Sequence, residues 1–528
     1  MREDGLTKLR RASPGLAATA VVTGVILWLA FHQGGYFEDA RLDAAVVVWA
    51  ALALLAAIEL PRLRPSTAAL VALGALGLLT AWTALSTTWS PDAPRGERLV
   101  DLDLLYVGIF ALGILAVGSG RYARVILLAA LGACTAILGV ALWARLHPGA
   151  FGSPLPDPRL DGYRMEWPLG YWNALGGLGV MGATLAVGVA ADPRSAIAWR
   201  AVSAAAATLM LVAAYLTFSR GSIVAFGVGM LVLVALGGHR ASVVATLVLV
   251  GATVGLLVLR LEAIPALTTD PAAGPGQAEA GRDFVPTLVL AMGLAAVAQG
   301  LLAVGNRSVA MADLVRRTGR PLAVLLTSAA VIGAVGAYVV RADAIEGRVS
   351  NALEDSGDWI STQWDEFNRP GAQREAERGS ARLDTAAGTR SDLWDIALDS
   401  FAAAPVWGEG AGSYQTRFFR TRTVDENVQN AHSLEFETLG ELGLVGALLL
   451  LAFLGAIVAA LVRSRRRRLA LPTTQTAAAG ATVAVWLVHA SVDWDWQVPA
   501  MTGTALLVAA TLFPTGRRIR RRRSAFVA

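Results

Sequence analysis

The sequence predicts an all-α fold: a polytopic helical membrane protein of about 14 (12–14) transmembrane helices with one large extracytoplasmic loop region. Three observations carry this. Of 528 residues, 55% are hydrophobic and only 16% charged, with a mean hydropathy of +0.54, which leaves too little polar surface for a soluble globular domain. The apolar residues come in runs of roughly 17–22, each long enough to cross a ~30 Å hydrocarbon core as a helix. The runs are apolar throughout rather than at every second residue, which excludes an outer-membrane barrel.

Taken in order, the expected spans are 16–31, 44–60, 66–84, 101–118, 122–144, 174–191, 201–218, 221–237, 241–259, 284–304, 321–340, 442–462, 474–492 and 498–514. The first follows Lys8, Arg10 and Arg11 as a signal peptide would, yet it lacks a small-residue cleavage site and is read as a retained anchor. Alternate connections carry the arginines: Arg62 and Arg64, Arg121 and Arg124, Arg194 and Arg200, Arg240, Arg307 to Arg320, and Arg463 to Arg468. By the positive-inside rule these connections and both termini face the cytoplasm. The chain then divides into N-terminal transmembrane helices (1–340), an extracytoplasmic loop region (341–435), C-terminal transmembrane helices (436–514) and a basic cytoplasmic tail (515–528).

The net charge of +5 does not point to nucleic acid, because the basic runs sit at helix ends, where they suit anionic lipid. The one cysteine, Cys134, lies in an apolar run, so neither an intramolecular disulfide nor a CxxC metal site is available. Within 341–435 the pattern predicts a helix over Ser391–Ala403, with Ser391 as N-cap and Leu393, Trp394, Ala397, Leu398 and Phe401 as its apolar face. Residues 342–385 are rich in charge and glycine and read as loosely structured.

Several polar residues stand where they are costly. Asn430 is placed to cap a helix that would hold His432 in its first turn, with Glu435 three positions on along the same face and Glu437 and Glu441 as a neighbouring pair. A histidine beside a carboxylate is suited to take a proton from a hydroxyl; it would equally serve as an interfacial anchor. Phe218-Ser-Arg-Gly-Ser222 leaves room only for a turn between two spans, and Arg220 there needs a polar cavity, an anion or a headgroup. Arg390, at the start of the Ser391 helix, and Arg159 and Arg164 fit either anion binding or a solvated loop. Asn173, in Trp167-Pro-Leu-Gly-Tyr-Trp-Asn173, fits sugar contact beside aromatic stacking as well as an interfacial belt. Gly408-Glu-Gly-Ala-Gly412 reads as a tight turn rather than a nucleotide loop, His489 as a buried polar contact, and Asp493-Trp-Asp495, despite its metal-like spacing, as no metal site.

Three segments together resemble the O-antigen ligase and polymerase family of membrane glycosyltransferases. They are the Phe218-Ser-Arg-Gly-Ser222 turn, Arg390-Ser-Asp-Leu-Trp394 running on to Pro405-Val-Trp-Gly-Glu-Gly-Ala-Gly-Ser-Tyr414, and His432-Ser433 followed by Gly443-Leu-Val-Gly446. The resemblance implies transfer of a glycan from polyprenyl diphosphate to an acceptor hydroxyl on the extracytoplasmic face of a bacterial plasma membrane, inverting, with no metal and no cofactor. His432 would be the general base and Glu435 its orienter. Arg220, Arg390, Arg159 and Arg164 would bind diphosphate, and Asn173, Tyr414 and Asn430 the substrate. Partners would be the lipid-linked donor, a glycan, lipid or protein acceptor and membrane lipid, with no nucleic acid. The alternatives are a repeat-unit polymerase of the same family and, in a different class, a lipid-linked glycan flippase or secondary transporter. A transporter should show midplane charges between broken helices, whereas the distinctive polar groups here lie near span ends.

Overall fold

A computed structural model describes residues 2–59, 63–118, 120–155, 163–270, 275–305, 390–422, 427–467, 469–514 and 516–517. The helices are α1 Arg2–Ala30, α2 Glu38–Glu59, α3 Thr67–Ser86, α4 Ala93–Val117, α5 Ala123–Leu146, α6 Trp172–Ala191, α7 Ile197–Tyr215, α8 Arg220–Leu236, α9 Arg240–Glu262 and α10 Pro275–Gly305. After them come α11 Arg390–Ala403, α12 Ser413–Thr421, α13 Leu434–Arg467, α14 Thr473–Ala490 and α15 Pro499–Ala510. Every expected span but one coincides with a helix; the exception, 321–340, lies outside the described residues, as do 342–385. Among the described residues, nine helices are long and apolar enough to cross a membrane. The protein is an all-α polytopic membrane protein.

The bundle is built around α6, which is buried along its whole apolar length and packs against α5, α7, α8 and α14. Its small residues let neighbouring backbones close in. A Cβ at Gly188 would lie 2.2 Å from the Ala478 Cβ of α14, and one at Gly176 would lie 2.5 Å from the Thr217 hydroxyl. Close contact of this kind holds membrane helices together where burial from water does not. By contrast, α9 and α10 present Val248, Leu256, Leu259, Leu290, Leu294 and Leu301 outward, as a helix facing lipid does.

The basic connections gather at one end. Arg465 Nε donates to the Leu236 carbonyl (2.9 Å), Arg200 Nη2 to Ser242 Oγ (3.3 Å) and Arg124 Nη2 to Ser195 Oγ (3.4 Å). The linker before α3 and the C-terminal tail join there as a two-residue antiparallel pair, β1 Leu63–Arg64 with β2 Gly516–Arg517. The opposite end is capped by α11, α12 and the segment entering α13. There Leu393, Ala397, Tyr414, Phe418, Val428 and Ala431 form a second, smaller apolar cluster. In α11 the buried stripe is Leu393, Ile396, Ala397 and Ser400; Leu398, expected inward, is 41% exposed, because the centre of the docking face lies about 150° from it around the helix.

Helix α13 is broken at Gly443, whose φ of 63° and ψ of −162° fall where essentially only glycine goes. The break has a visible cause. The chain after α11 docks against it, with the Leu444 and Val445 amides donating to the Pro405 and Val406 carbonyls (2.9 and 3.3 Å). The Trp82 indole takes the freed Leu442 carbonyl (3.0 Å). A Cβ on Gly443 would stand 2.5 Å from the Val406 oxygen. Gly408, Gly410 and Gly412, all at positive φ, turn this docked segment, as the tight-turn reading expects.

Candidate active site

His432 does not sit in a helix. The expected cap at Asn430 is displaced: α13 begins at Leu434, with the Ser433 hydroxyl accepting from the Phe436 amide (3.4 Å). His432 precedes it at φ +52°, an uncommon value for a residue with a side chain. Its approach is clamped. Arg95 donates to the Gln429 side chain (3.0 Å), the Gln429 carbonyl (2.8 Å) and Gln415 (3.1 Å), and Tyr36 donates to Gln429 as well (3.0 Å). Left-handed backbone costs about 1–3 kcal/mol and persists where surroundings over-determine it.

The imidazole, 24% exposed, donates from Nδ1 to Oδ1 of Asp493 at 3.1 Å; that carboxylate is 2% exposed. The same carboxylate accepts from Arg390 Nη2 (3.1 Å), Asn173 Nδ2 (2.6 Å) and the Tyr171 hydroxyl (2.7 Å). Burial alone would raise the Asp493 carboxyl, but the hydrogen bond from His432 and the Arg390 charge outweigh it and hold the group well below the usual carboxylate range. Burial, with the adjacent Asp493 charge, pushes the Tyr171 phenol up, so it stays a donor. A permanent carboxylate accepts only, so Nδ1 of His432 carries the proton and Nε2 is the basic nitrogen.

The network extends to the turn before α8. Arg164 donates to Asn173 Oδ1 (2.9 Å), to the Thr217 carbonyl (2.9 Å) and to the Phe218 carbonyl (3.3 Å), and its guanidinium lies 4.4 Å above the Trp172 ring. Phe218 has φ +47°. Arg220, half-buried, is the first residue of α8, behind the N-cap Ser219. Thus His432, Arg390, Asn173, Arg164 and the Arg220 turn, far apart along the chain, belong to one connected set around Asp493.

Other expected residues stand elsewhere. Glu435 does not orient His432. With the helix starting only at Leu434, its carboxylate accepts from Ser491 (2.8 Å) and Ser433 (3.2 Å). Tyr414 is 1% exposed and its hydroxyl is consumed by the Leu393 carbonyl (2.9 Å), which makes it a tie between α11 and α12. Asn430 is buried with its amide toward Glu437 (3.4 Å). Arg159 lies outside the described residues. Below Ser433 and Asp493 a cavity of ≈ 50 Å³ runs inward between Asp103, Glu437, Glu441 and Gln497.

Arg390 and His432 also fall within a recognisable stretch of sequence. Residues 284–451 match the family model described as O-antigen ligase. The match agrees with the resemblance read from the sequence and supports a membrane glycosyltransferase-type function. It contains Arg390, Tyr414, Asn430, His432 and Glu435, whereas Arg164, Asn173, Arg220 and Asp493 come from outside it. No curated protein matches the chain.

Sequence reasoning missed Asp493, Tyr171 and Arg95. A signal for Asp493 existed. It stands in a short connection at the same end of the bundle as His432, and an acid there needs cationic or donor partners. Its metal-like spacing drew attention away. Both acids of that turn are engaged by side-chain donors of the protein itself, Asp493 as above and Asp495 by His489 (2.5 Å).

Proposed function

We propose that the protein is a glycosyltransferase of O-antigen ligase type, moving a glycan from polyprenyl diphosphate to an acceptor hydroxyl. The observation that carries the reading is that His432 and Arg390, both within the segment that matches the O-antigen ligase family, meet on one buried carboxylate, Asp493. The acceptor oxygen attacks the anomeric carbon from the face opposite the diphosphate and the carbon–oxygen bond to phosphate breaks. The bonding pair stays with the diphosphate, and the hydroxyl proton passes to Nε2 of His432. One displacement inverts the anomeric centre. The products are the new glycoside and free polyprenyl diphosphate, and His432 then releases its proton to water.

Negative charge grows on the leaving diphosphate, so cations aimed at it stabilise the transition state more than the bound donor. Arg390 and Arg220 take this part, with Arg164 holding the Arg220 turn and Asn173. Because guanidiniums supply the charge, the transfer proceeds in the presence of a chelator. The site lies on the extracytoplasmic face of the plasma membrane, with the basic end in the cytoplasm.

The test is purified full-length protein in lipid with a polyprenyl-diphosphate glycan and an acceptor panel. Acceptor-dependent release of polyprenyl diphosphate is expected, and H432A should lose it; unimpaired release by H432A sinks the assignment. Products lengthened by donor alone, with the lipid-linked repeat acting as acceptor, would identify a polymerase instead. Transport without release would identify a flippase.

A further inference from the structure

Behind the Arg220 turn lies a buried polar chain that the transfer step does not use. Asp495 and His489 are both fully buried, and His489 Nδ1 meets Asp495 Oδ2 at 2.5 Å. His489 Nε2 stands 3.1 Å from Ser222 Oγ, and Ser222 Oγ in turn 2.9 Å from Ser219 Oγ. Ser219 is the N-cap of α8, its hydroxyl accepting from the Ser222 amide (3.3 Å). The imidazole also lies close to the backbone beside Arg220: a Cβ on Gly221 would lie 3.4 Å from Nε2. A buried ion pair seldom adds stability over well-packed apolar groups, but a run of buried hydrogen bonds from side chain to side chain fixes geometry. What this one fixes is the first turn of α8.

The other end of the chain matters as much. Asp495 is two residues from Asp493, which holds His432 and Arg390. Between them Trp494 packs against Tyr171 with its ring tilted (ring centroids 4.3 Å apart) and meets His432 edge-on at 6.5 Å. One tripeptide therefore grips the histidine with its first carboxylate and the Ser219–Ser222 turn with its second.

We propose that the Asp493–Trp494–Asp495 turn sets the spacing between His432 and the Arg220 turn, with Asp495 and His489 as positioning residues for Arg220. This rests on the reading of the site as a glycosyl-transfer centre. Asp493 then governs the proton acceptor, and Asp495 governs how the anionic donor is held.

The experiment titrates the lipid-linked donor at saturating acceptor for wild type, H489A, D495N and H489Q, all full-length in lipid. A misplacement of an ångström at a positioned group costs up to about 10²-fold, so H489A and D495N should raise the donor KM at least about tenfold. The pH profile of kcat should keep its wild-type shape, because the His432–Asp493 contact is untouched. The side-chain amide of Gln reaches Ser222 as Nε2 does but does not reproduce the Nδ1 contact to Asp495, so H489Q should raise the donor KM by less than H489A does. Should H489A not fold, S222A, which deletes only the hydroxyl, carries the same expectation. An unchanged donor KM, or a loss that follows only the folded fraction in gel filtration, overturns the inference while leaving the proposed function standing. A wild type that releases no polyprenyl diphosphate overturns both.

Discussion

At residue scale the site turns on the acid that fixes the histidine's tautomer. Asp493→Asn keeps the shape and removes the charge, and the amide can present its nitrogen to His432, which would put the basic lone pair on Nδ1. General-base help is worth about 10²–10⁴-fold, so D493N should lose at least about that much transfer. Initial rates of polyprenyl diphosphate release measure it. The same substitution changes pH-dependent stability with a definite sign. The Asp493 carboxyl is depressed in the folded state, so its stabilising share is complete above the ordinary carboxylate pKa of ~4 and is given up as pH falls below that. Melting curves of wild type should therefore drop more steeply below about pH 4 than those of D493N, and the two should run parallel between about pH 5 and 8. His432, Arg220 and Arg390 stood out in the sequence because a charged or titratable group on the side away from the arginine clusters needs a reason. The carboxylate that His432 and Arg390 share did not, since nothing in the local spacing says which of Glu435 and Asp493 will face the imidazole. That choice follows from where α13 begins, and the Ser433 cap moves the start past His432.

At the scale of elements, the break in α13 is the feature that shapes the site's floor. The docked segment Pro405–Gly412 replaces helical partners at Gly443, and Glu441, two residues before the break, accepts from the Gly412 and Tyr414 amides (2.9 and 3.0 Å). These are unsatisfied donors at the start of α12, so a buried carboxylate caps that helix from outside it. Glu441→Ala leaves both amides buried without a partner, at about 1–3 kcal/mol each. A fall in melting temperature, with transfer lowered in proportion to the loss of folded protein, is expected. Gly443→Ala meets the Val406 oxygen and an excluded backbone region together, and poor recovery of folded protein should follow. Span positions were legible because hydrophobic runs of this length have one use. The interior kink was not: paired glycines mark a place where backbone can approach, without saying which distant segment does so.

At the scale of the whole molecule, the two ends of the bundle are chemically unlike, and that difference bears on which side the site faces. One end collects Arg124, Arg200, Arg465 and the tail pairing Leu63 with Arg517; the other collects His432, Asp493 and the clamp from Arg95. Arginine-rich connections stay on the cytoplasmic side during insertion, so the histidine end is expected outside, where a lipid-linked glycan would present its head to water while its tail stays in the bilayer. The chain suits a direct measurement. Its single cysteine, Cys134, is buried, so added thiols label against a quiet background. Exposed Glu97 lies near the clamp and exposed Arg466 among the basic connections. In intact cells E97C should react with a membrane-impermeant maleimide and R466C only after permeabilisation. The reverse pattern would put the histidine in the cytoplasm and remove the reason to expect an extracytoplasmic donor. Labelling at both positions without permeabilisation would show that the basic end does not retain its side, and the reading of orientation from the arginines would fail with it.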